Sequence, residues 1–380
     1  MSPYKIKYAS NSDRELCDEY VRRRPDASLF HMFGWRDVIH RTYGHATYYL
    51  MLTARDGGVD APPRRAEGGR HSVEPILGVL PIVHFKHAFF GNCLVSLPFL
   101  DGGGILADCR KAEESLLSEV ITLGRKTGAS RIELRQERLL ASCNDTSAFF
   151  SESSRKPLQF ATKSNKVRIL LNLPDSSEML MKSFKSKLRS QITKALKEGL
   201  TSRTGGVELL EDFYKVFLVN MRDLGSPVHS IKLMRHVLSE FPACSKIVVI
   251  YRAKEPVAAA LVVGFEKVLR NPWASSLRKY ASLSPNMLLY LRVLEYACDN
   301  GYQVFDFGRS SAGEGTYKFK EQWGAAPAPL YWHYIFLDGK LPNLESSGKE
   351  RFDRAIRYWQ KLPLVVTRVI GPSIRKHISL

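Results

Sequence analysis

Apolar residues along this chain fall in short runs whose spacing changes repeatedly between two and three or four. Tyr4–Tyr8 alternates like an edge strand, and Ser12 and Asp13 suit the cap of a helix running toward the tyrosine-rich segment Tyr43–Leu52. Ile76–Phe85 and Phe89–Leu97 are apolar and β-branched, as central strands are, and the tip Asp101-Gly102-Gly103-Gly104 follows them. Arg110–Thr127 has helical spacing and stops at Gly128, a residue suited to a left-handed cap; Ser130–Arg135 is again a strand. A second series begins with a strand at Lys166–Leu173, one long helix over Ser176–Leu200 and a helix at Ile231–Phe241. Lys246–Tyr251 and Val257–Phe265 pair as a hairpin. Ser284 with Pro285 starts a helix that ends at Gly301, and Tyr302–Phe307 and Leu330–Leu337 are strands. Within Asn286–Asn300 the charges are confined to Arg292, Glu295 and Asp299, a narrow stripe on a helix that is otherwise buried.

The two series repeat each other. Glu74-Pro75-Ile76-Leu77-Gly78-Val79-Leu80 parallels Glu255-Pro256-Val257-Ala258-Ala259-Ala260-Leu261, each a turn feeding an apolar strand. Further on, a helix, Gly128 and Arg131-Ile132-Glu133-Leu134 parallel a helix, Gly301 and Val304-Phe305-Asp306-Phe307. Both pairs occur in the same order at nearly the same offset, which points to duplication of a mixed α/β unit. A length of 380 residues suits two domains. We place them at 1–160 and 161–338, with a basic helical tail at 339–380. Residues 55–74, almost all Gly, Pro and charge, read as a disordered insertion, and 141–157 as a polar linker.

Composition then narrows the class. The chain is 44% hydrophobic and 25% charged, which excludes collagen, coiled coil and wholesale disorder. No apolar run reaches the ~20 residues that span a bilayer, and the lysine-bearing N-terminus lacks the apolar core of a secretion signal. The six cysteines are scattered, with no C-x-x-C pair, as expected of reduced thiols in a cytoplasmic protein without a metal site. A net charge of +18 asks for an anionic partner: phosphate, nucleic acid or an acidic membrane surface.

Two segments concentrate candidate chemistry. From Met179 to Gly199 the chain carries Lys182, Lys185, Lys187, Arg189, Lys194 and Lys197 against the single acid Glu198, with Phe184, Leu188, Ile192 and Ala195 on the opposite arc. Acids are too few for i,i+4 pairing to explain such a helix. A plain solvated face competes with the reading we favour, an anion-binding helix in which Arg189 holds phosphate bidentately. The second segment is Phe305-Asp306-Phe307-Gly308-Arg309-Ser310, followed by Gly313-Glu314-Gly315-Thr316-Tyr317-Lys318-Phe319-Lys320-Glu321-Gln322-Trp323-Gly324. A strand delivers Asp306 to its carboxyl end, where ligands of α/β sheets bind. The kinase-like Asp306-Phe307-Gly308 has no other kinase motif beside it, and no P-loop or Rossmann fingerprint occurs. Arg309 to Gly315 nearly spells the R-x-x-G-x-G of acyl-coenzyme A binders, with one residue too many and no helix predicted after it.

These residues carry a resemblance. F-D-F-G-R-S followed by G-T-Y-K-F-K-E-Q-W-G resembles the signature of Fem-type transferases, and more closely that of the FemAB-like proteins associated with exosortase (PEP-CTERM) and exopolysaccharide systems. Tyr280-Ala281-Ser282, the helix Leu288–Asn300 and Lys187-Leu188-Arg189-Ser190-Gln191-Ile192-Thr193-Lys194-Ala195 sit where that family has them, so the resemblance spans roughly 4–337. It implies two tandem GNAT-like domains with mixed, mainly antiparallel sheets flanked by helices. It also implies transfer of an aminoacyl or acyl group to an amine of a peptidoglycan-type or exopolysaccharide precursor, with aminoacyl-tRNA or acyl-CoA as donor and no bound cofactor. By the same resemblance Lys320 matches a lysine that stabilises the tetrahedral oxyanion, and Arg189 a residue that contacts substrate phosphate. The long coiled-coil arm of typical Fem proteins is absent from this sequence.

Chemically, such a transfer needs a cation or N–H donor at the oxyanion and a fixed approach for the amine. Lys320 or Lys318 supplies the first, and Asp306 orients the amine or takes its proton. A strand-end carboxylate bonded to the N–H groups of the next loop is the competing reading of Asp306. Arg309, Lys318, Tyr317 and Tyr280 join Arg189, Lys187 and Lys194 as candidate substrate contacts, Arg309 either pairing with Asp306 or holding an anionic substrate. Packing is the alternative for Tyr317 and Trp323, and His31, His84, His229 and His333 are ordinary residues. From Lys340 onward nine cations face three acids, and Tyr358–Val366 has the aromatic and basic make-up of a segment lying on an anionic membrane. A helix docked on the domain is the alternative for the tail. Two rival functions remain: an acyl-CoA-dependent N-acyltransferase, and a non-catalytic anion- or nucleic-acid-binding protein. Specific DNA binding is not expected, because aromatic residues do not interleave with the cations.

Overall fold

The computed structural model describes residues 3–55, 74–88, 90–144, 158–341 and 349–379. The expected insertion at 55–74 and most of the linker at 141–157 lie outside the described residues. The first series runs β1 (Tyr4–Tyr8), α1 (Arg14–Arg23), α2 (Gly34–Tyr43), β2 (Ala46–Ala54), β3 (Ile76–His87), β4 (Gly91–Val95), β5 (Leu106–Ala107), α3 (Arg110–Thr127), β6 (Arg131–Gln136), α4 (Ala141–Asn144) and β7 (Gln159–Lys163). The second runs β8 (Lys166–Asn172), α5 (Ser177–Ser183), α6 (Ser186–Leu196), β9 (Leu200–Gly205), α7 (Leu210–Asp223), α8 (Ile231–Glu240), β10 (Ser245–Arg252), β11 (Glu255–Phe265), β12 (Val268–Ser276), α9 (Pro285–Asp299), β13 (Val304–Ser311), α10 (Gly315–Glu321) and β14 (Ala326–Pro329). After it come β15 (Tyr331–Phe336), α11 (Lys349–Lys361) and α12 (Leu364–Arg375).

Two compact units result. The first is the chain up to Ser164 with Leu330 and the residues after it up to 341, and Ser379; the second is Asn165–Pro329 with residues 349–378. The first sheet has the order β1-β2-β3-β4-β6-β15-β7, with β5 on β3, and the second β14-β8-β13-β12-β11-β10-β9. Each contains one parallel pair among the described residues, β4 with β6 and β12 with β13; the remaining pairs are antiparallel. The repeat seen in the sequence is therefore a repeat of topology. A hairpin leads to a third strand, a helix crosses over, and the next strand returns parallel to the third, as parallel neighbours need a crossover connection.

In the first unit α3 buries Leu116, Leu117, Val120 and Ile121 against Leu80, Ile82 and Ile132 of the sheet, each such side chain contributing roughly 1.5–3 kcal/mol. The helix comes so close that a Cβ on Gly78 of β3 would stand 2.9 Å from Leu116. It ends where expected, with Gly128 left-handed at φ 67°. In the second unit α5, α6 and α9 cover one face, burying Leu180, Leu188, Ile192, Leu289 and Val293 with Phe305 and Phe307. Helix α7 packs on β10, β11 and β12.

Three expectations are corrected. Strand 330–337, assigned to the second domain, pairs with β6 and β7 in the first sheet, and β8 fills the corresponding place beside β13 in the second. The single helix over 176–200 is two helices, because Phe184 and Lys185 are extended (ψ 147° and 149°). The Ser183 hydroxyl bonds back to the Leu180 carbonyl at 2.7 Å, ending α5, and Phe184 turns into the core. Leu200, expected at the end of that helix, instead begins the strand β9 (Leu200–Gly205), entered through Gly199. The segment Tyr43–Leu52, reached by a single helix in the sequence reading, is largely β2, and two helices precede it.

Candidate active site

In the second unit the parallel pairing of β12 and β13 lasts only three residues, Val268↔Val304, Leu269↔Phe305 and Arg270↔Asp306. Both strands then bulge at the same level. Between Val263↔Arg270 and Leu261↔Trp273, β12 gains one residue on β11, at Asn271-Pro272. Between Asp306↔Leu170 and Arg309↔Arg168, β13 gains one on β8, with Gly308 left-handed at φ 76°. A proline in one strand and a left-handed glycine in its neighbour remove the donors and the geometry a continuous ladder needs, so the two strands part. A Cβ on Gly308 would lie 3.3 Å from the Asn271 carbonyl, so a side chain here would be tight as well as strained.

Asp306 anchors the point of divergence. It is 2% exposed, and its Oδ2 accepts hydrogen bonds from Arg270 Nη1 at 3.0 Å and Arg168 Nη1 at 3.3 Å. Its Oδ1 accepts from the Gly308 N–H at 2.8 Å. The carboxylate thus binds three strands to one another and shapes the bulge, which is the arrangement of the competing structural reading. With both oxygens engaged, Asp306 holds the site together and is not placed to take a proton from an amine. The two arginines were not singled out from sequence. Arg168 sits in a short basic strand, and Arg270 in a strand that Asn271-Pro272 disguised.

Lys320 is reached from the other side. It is 9% exposed, on α10, and its Nζ donates to the Gly308 carbonyl at 3.1 Å and the Arg309 carbonyl at 3.0 Å. The lysine ties the helix after β13 back onto the bulge, so its ammonium lies at the parting of the strands. A helix does follow the glycine-rich turn, beginning at Gly315, where none was expected. Lys318, two residues along, is exposed on another face of α10, and Tyr317 is half-buried against the core. Arg309 is half-buried beside the bulge.

Polar atoms around the opening are unevenly satisfied. Asn271 donates through Nδ2 to the Tyr290 hydroxyl at 3.2 Å, while its buried Oδ1 makes no hydrogen bond among the described residues. Neither do Ser310 Oγ and Trp323 Nε1. Burial pushes the Tyr290 phenol up to about 12, so it stays protonated at neutral pH. Tyr290 stacks on Phe307 with ring centroids 5.2 Å apart, and Trp323 lies 6.1 Å from Tyr290 and 5.4 Å from Phe184. The last contact sets the start of α6 beside the end of α10. Trp323 is 2% exposed, as its packing alternative requires.

The cations of α5 and α6 keep to the open arc. Lys182, Lys185, Lys187, Arg189, Lys194 and Lys197 are all exposed, and among the described residues none pairs with an acid. No hydrogen bond connects them to Asp306 or Lys320 among the described residues. Tyr280 lies elsewhere, in the turn after β12. Its hydroxyl and the Lys279 ammonium bond the two oxygens of Glu255, at 2.5 and 2.7 Å, and these bonds, Lys279 foremost, hold the Glu255 carboxyl below its usual range. Glu255, Lys279, Arg278, Lys215, Arg222 and Leu364 line a cavity of about 400 Å³ on the α7 side of the sheet. His229 and His333 are buried and satisfied. Arg375 Nε donates to His229 Nε2 at 3.0 Å, and the Leu140 N–H donates to His333 Nε2 at 3.3 Å. Burial carries the Cys17 and Cys143 thiols up to about 12, well away from nucleophile chemistry.

Residues 182–321 match the model of an acetyltransferase (GNAT) domain. The match starts in α5 and ends with α10, so it covers the parted strands, the bulge and Lys320, and stays within the second unit. No curated protein matches the chain. Among solved structures the fold is similar to FemX, at 13% identity and a TM-score of 0.60, over 86% of this chain and 96% of that one. It is also similar to the C-terminal (DUF2156) domain of a putative lysylphosphatidylglycerol synthetase from Agrobacterium fabrum, at 13% identity and a TM-score of 0.53, over 85% and 91%. A conserved protein of unknown function from Bacteroides thetaiotaomicron VPI-5482 has 9% identity and a TM-score of 0.51, over 88% and 100%. At such identities the likeness is one of fold. The chain is a tandem of two GNAT-like domains with a basic helical tail.

Proposed function

We propose that the second GNAT-like domain transfers an acyl or aminoacyl group from an activated ester or thioester to an amine, forming an amide on a phosphate-bearing cell-envelope precursor. The observation that carries this reading is the parting of β12 and β13 at Arg270 and Asp306, with Lys320 fastened at its edge. A donor laid in the opening has no β12–β13 ladder to displace, and the buried Asn271 Oδ1 and Ser310 Oγ beside the bulge have no partner among the described residues. The neutral amine attacks the donor carbonyl and a C–N bond forms. The carbonyl electrons collect on oxygen, and the C–S or C–O bond breaks with its electron pair on the leaving group. The amine proton passes to solvent or the leaving group. Lys320 offers positive charge to the oxyanion while it holds the bulge carbonyls, a contribution worth roughly 3–4 kcal/mol of barrier when one such donor is removed. Asp306 acts through position, by fixing the bulge.

The acceptor is the finer part of the reading. The exposed cations of α6, with Arg189 and Lys187 near its start, suit a diphosphate-linked precursor, and one structural relative is a putative synthetase of lysylphosphatidylglycerol, a phosphate-bearing envelope lipid. Arg189→Ala then weakens acceptor binding. Acyl-CoA and aminoacyl-tRNA both remain donors in this proposal, and an exosortase or exopolysaccharide setting remains an expectation of the resemblance. Incubating the protein with panels of acyl-CoA and aminoacyl-tRNA donors and amine-bearing, diphosphate-linked peptidoglycan and exopolysaccharide precursors tests it, with amide products read by mass spectrometry. A donor-dependent mass increase on one acceptor is expected, and no product with any pair overturns it. A second reading, an anion-binding protein without turnover, is favoured only by the buried, already bonded state of Lys320. It predicts binding of the precursor with no amide formed.

A further inference from the structure

The last two helices present a surface that the transfer chemistry does not use. Helix α12 rests on the second unit through its small residues. Thr367 and Gly371 are buried, and a Cβ on Gly371 would stand 3.0 Å from Val228. The face turned away carries Val365 at 75% exposure, Val369 at 68%, and Val366 and Ile370 at 38% and 37%. At 100° per residue these four, with the exposed Ser373, occupy one arc of the helix opposite Thr367 and Gly371. The turn at Leu362-Pro363 joins this helix to α11, which exposes Arg354, Arg357 and Lys361 around Tyr358, itself 72% exposed. Arg368 flanks the valine arc. In sequence, 349–376 holds eight cations against Glu350 and Asp353.

We propose that α11 and α12 form a docking surface for an anionic lipid bilayer, with the Val365–Val369–Ile370 face sunk into the headgroup–acyl boundary and the cations of α11 on the phosphates. A naked β-branched arc bordered by cations is the composition of an interfacial helix. No helix among the described residues is long and apolar enough to cross a membrane, so the mode is lying on the surface. A second copy of the chain is the poorer occupant, because two such faces would bring their cations together. The anchoring side of α12 is separate from the exposed arc, so docking on the domain and docking on lipid do not compete. Leu364, at the start of α12, also lines the cavity with Lys215, Arg222, Arg278 and Lys279, so that cavity opens near the bilayer when α12 is seated. Docking on lipid through α11 and α12 does not depend on the proposed transfer.

The test is flotation of the full chain with phosphatidylcholine vesicles, with and without phosphatidylglycerol, at low and high salt. Wild-type protein should float with the anionic vesicles and be released by salt. The double substitution Val365→Asp, Val369→Asp should lower the partition coefficient by at least about tenfold, and Arg354→Gln with Arg357→Gln by about tenfold at low salt. Both variants alter exposed side chains, and circular dichroism checks that they remain folded. Wild-type protein left at the bottom of the gradient, or flotation equal in wild type and the valine variant, overturns the proposal. So does a dimer by light scattering that the valine variant splits without changing flotation, or retention by RNA with none by vesicles.

Discussion

The duplicated units meet the same structural problem at the same strand and solve it differently. The third and fourth strands of each sheet core run parallel, and each fourth strand carries an acid, Glu133 opposite Val95 and Asp306 opposite Arg270. In the first unit the residue two places on is Arg135, 1% exposed. It bonds Glu133 through Nε at 2.8 Å and the Leu100 and Ser379 carbonyls at 2.6 and 2.8 Å, under the ring of Trp332 at 4.4 Å. Ser96 continues the ladder by accepting from Arg135 N at 3.0 Å, and Gly104, close against the Arg135 carbonyl and the Gln136 side chain, lets the 97–105 loop close over the strand. In the second unit the corresponding residue is Gly308. The counter-ions come from neighbouring strands, and the turn after β12 is exposed. An arginine thus plugs one copy, and a glycine leaves the other open. The GNAT family match falls on the open copy.

Substitutions at these positions break or sharpen that contrast. The largest effect is expected from Asp306→Ala, which strands Arg168 and Arg270 and should cost about 3–5 kcal/mol by denaturant titration. Glu133→Ala strands Arg135 and should cost a similar amount, but transfer per folded molecule should fall only for Asp306→Ala. Next comes acid sensitivity. Burial pulls His333 down to about 4 from an ordinary 6.5. Below pH 6.5 the unfolded chain takes up a proton that the folded first unit refuses until about pH 4. Stability is therefore lost between those values, by about 3 kcal/mol, and levels off beneath them. His333→Gln should remove that part of the pH dependence from denaturation curves. Gly308→Arg imports the plug of the first unit into the second. At φ 76° and 3.3 Å from the Asn271 carbonyl it should cost about 1–3 kcal/mol and abolish transfer. The smallest effect is that of Arg189→Ala, an exposed residue, expected to raise the acceptor KM by about tenfold or less with kcat and stability unchanged.

What the sequence showed, and what it hid, follows from the same chemistry. Apolar runs such as Val257–Phe265 and capped helices such as Arg110–Gly128 express burial and local geometry, and both were legible. The duplication was legible because burial repeats. Strand β12 is hidden in the sequence because Arg270-Asn271-Pro272 erases its alternation, and those residues lie at the bulge where β12 and β13 part. Arg168 and Arg270 owe their meaning to Asp306, 138 and 36 residues away, a distance no spacing rule bridges. Where β15 pairs was hidden for a similar reason. Its apolar pattern fits either sheet, and only the place left beside β6 decides. The break at Phe184 was masked by an apolar periodicity that continues across it.

The proposed transfer by the second unit rests above all on Lys320, and comparing Lys320→Met with Arg135→Met in one acyl-transfer assay tests it most directly. Lys320→Met should lose at least about a hundredfold in kcat while circular dichroism and precursor binding stay near wild type, and Arg135→Met should lower stability without lowering turnover per folded molecule. Full turnover by Lys320→Met would contradict a catalytic role for the opened strands.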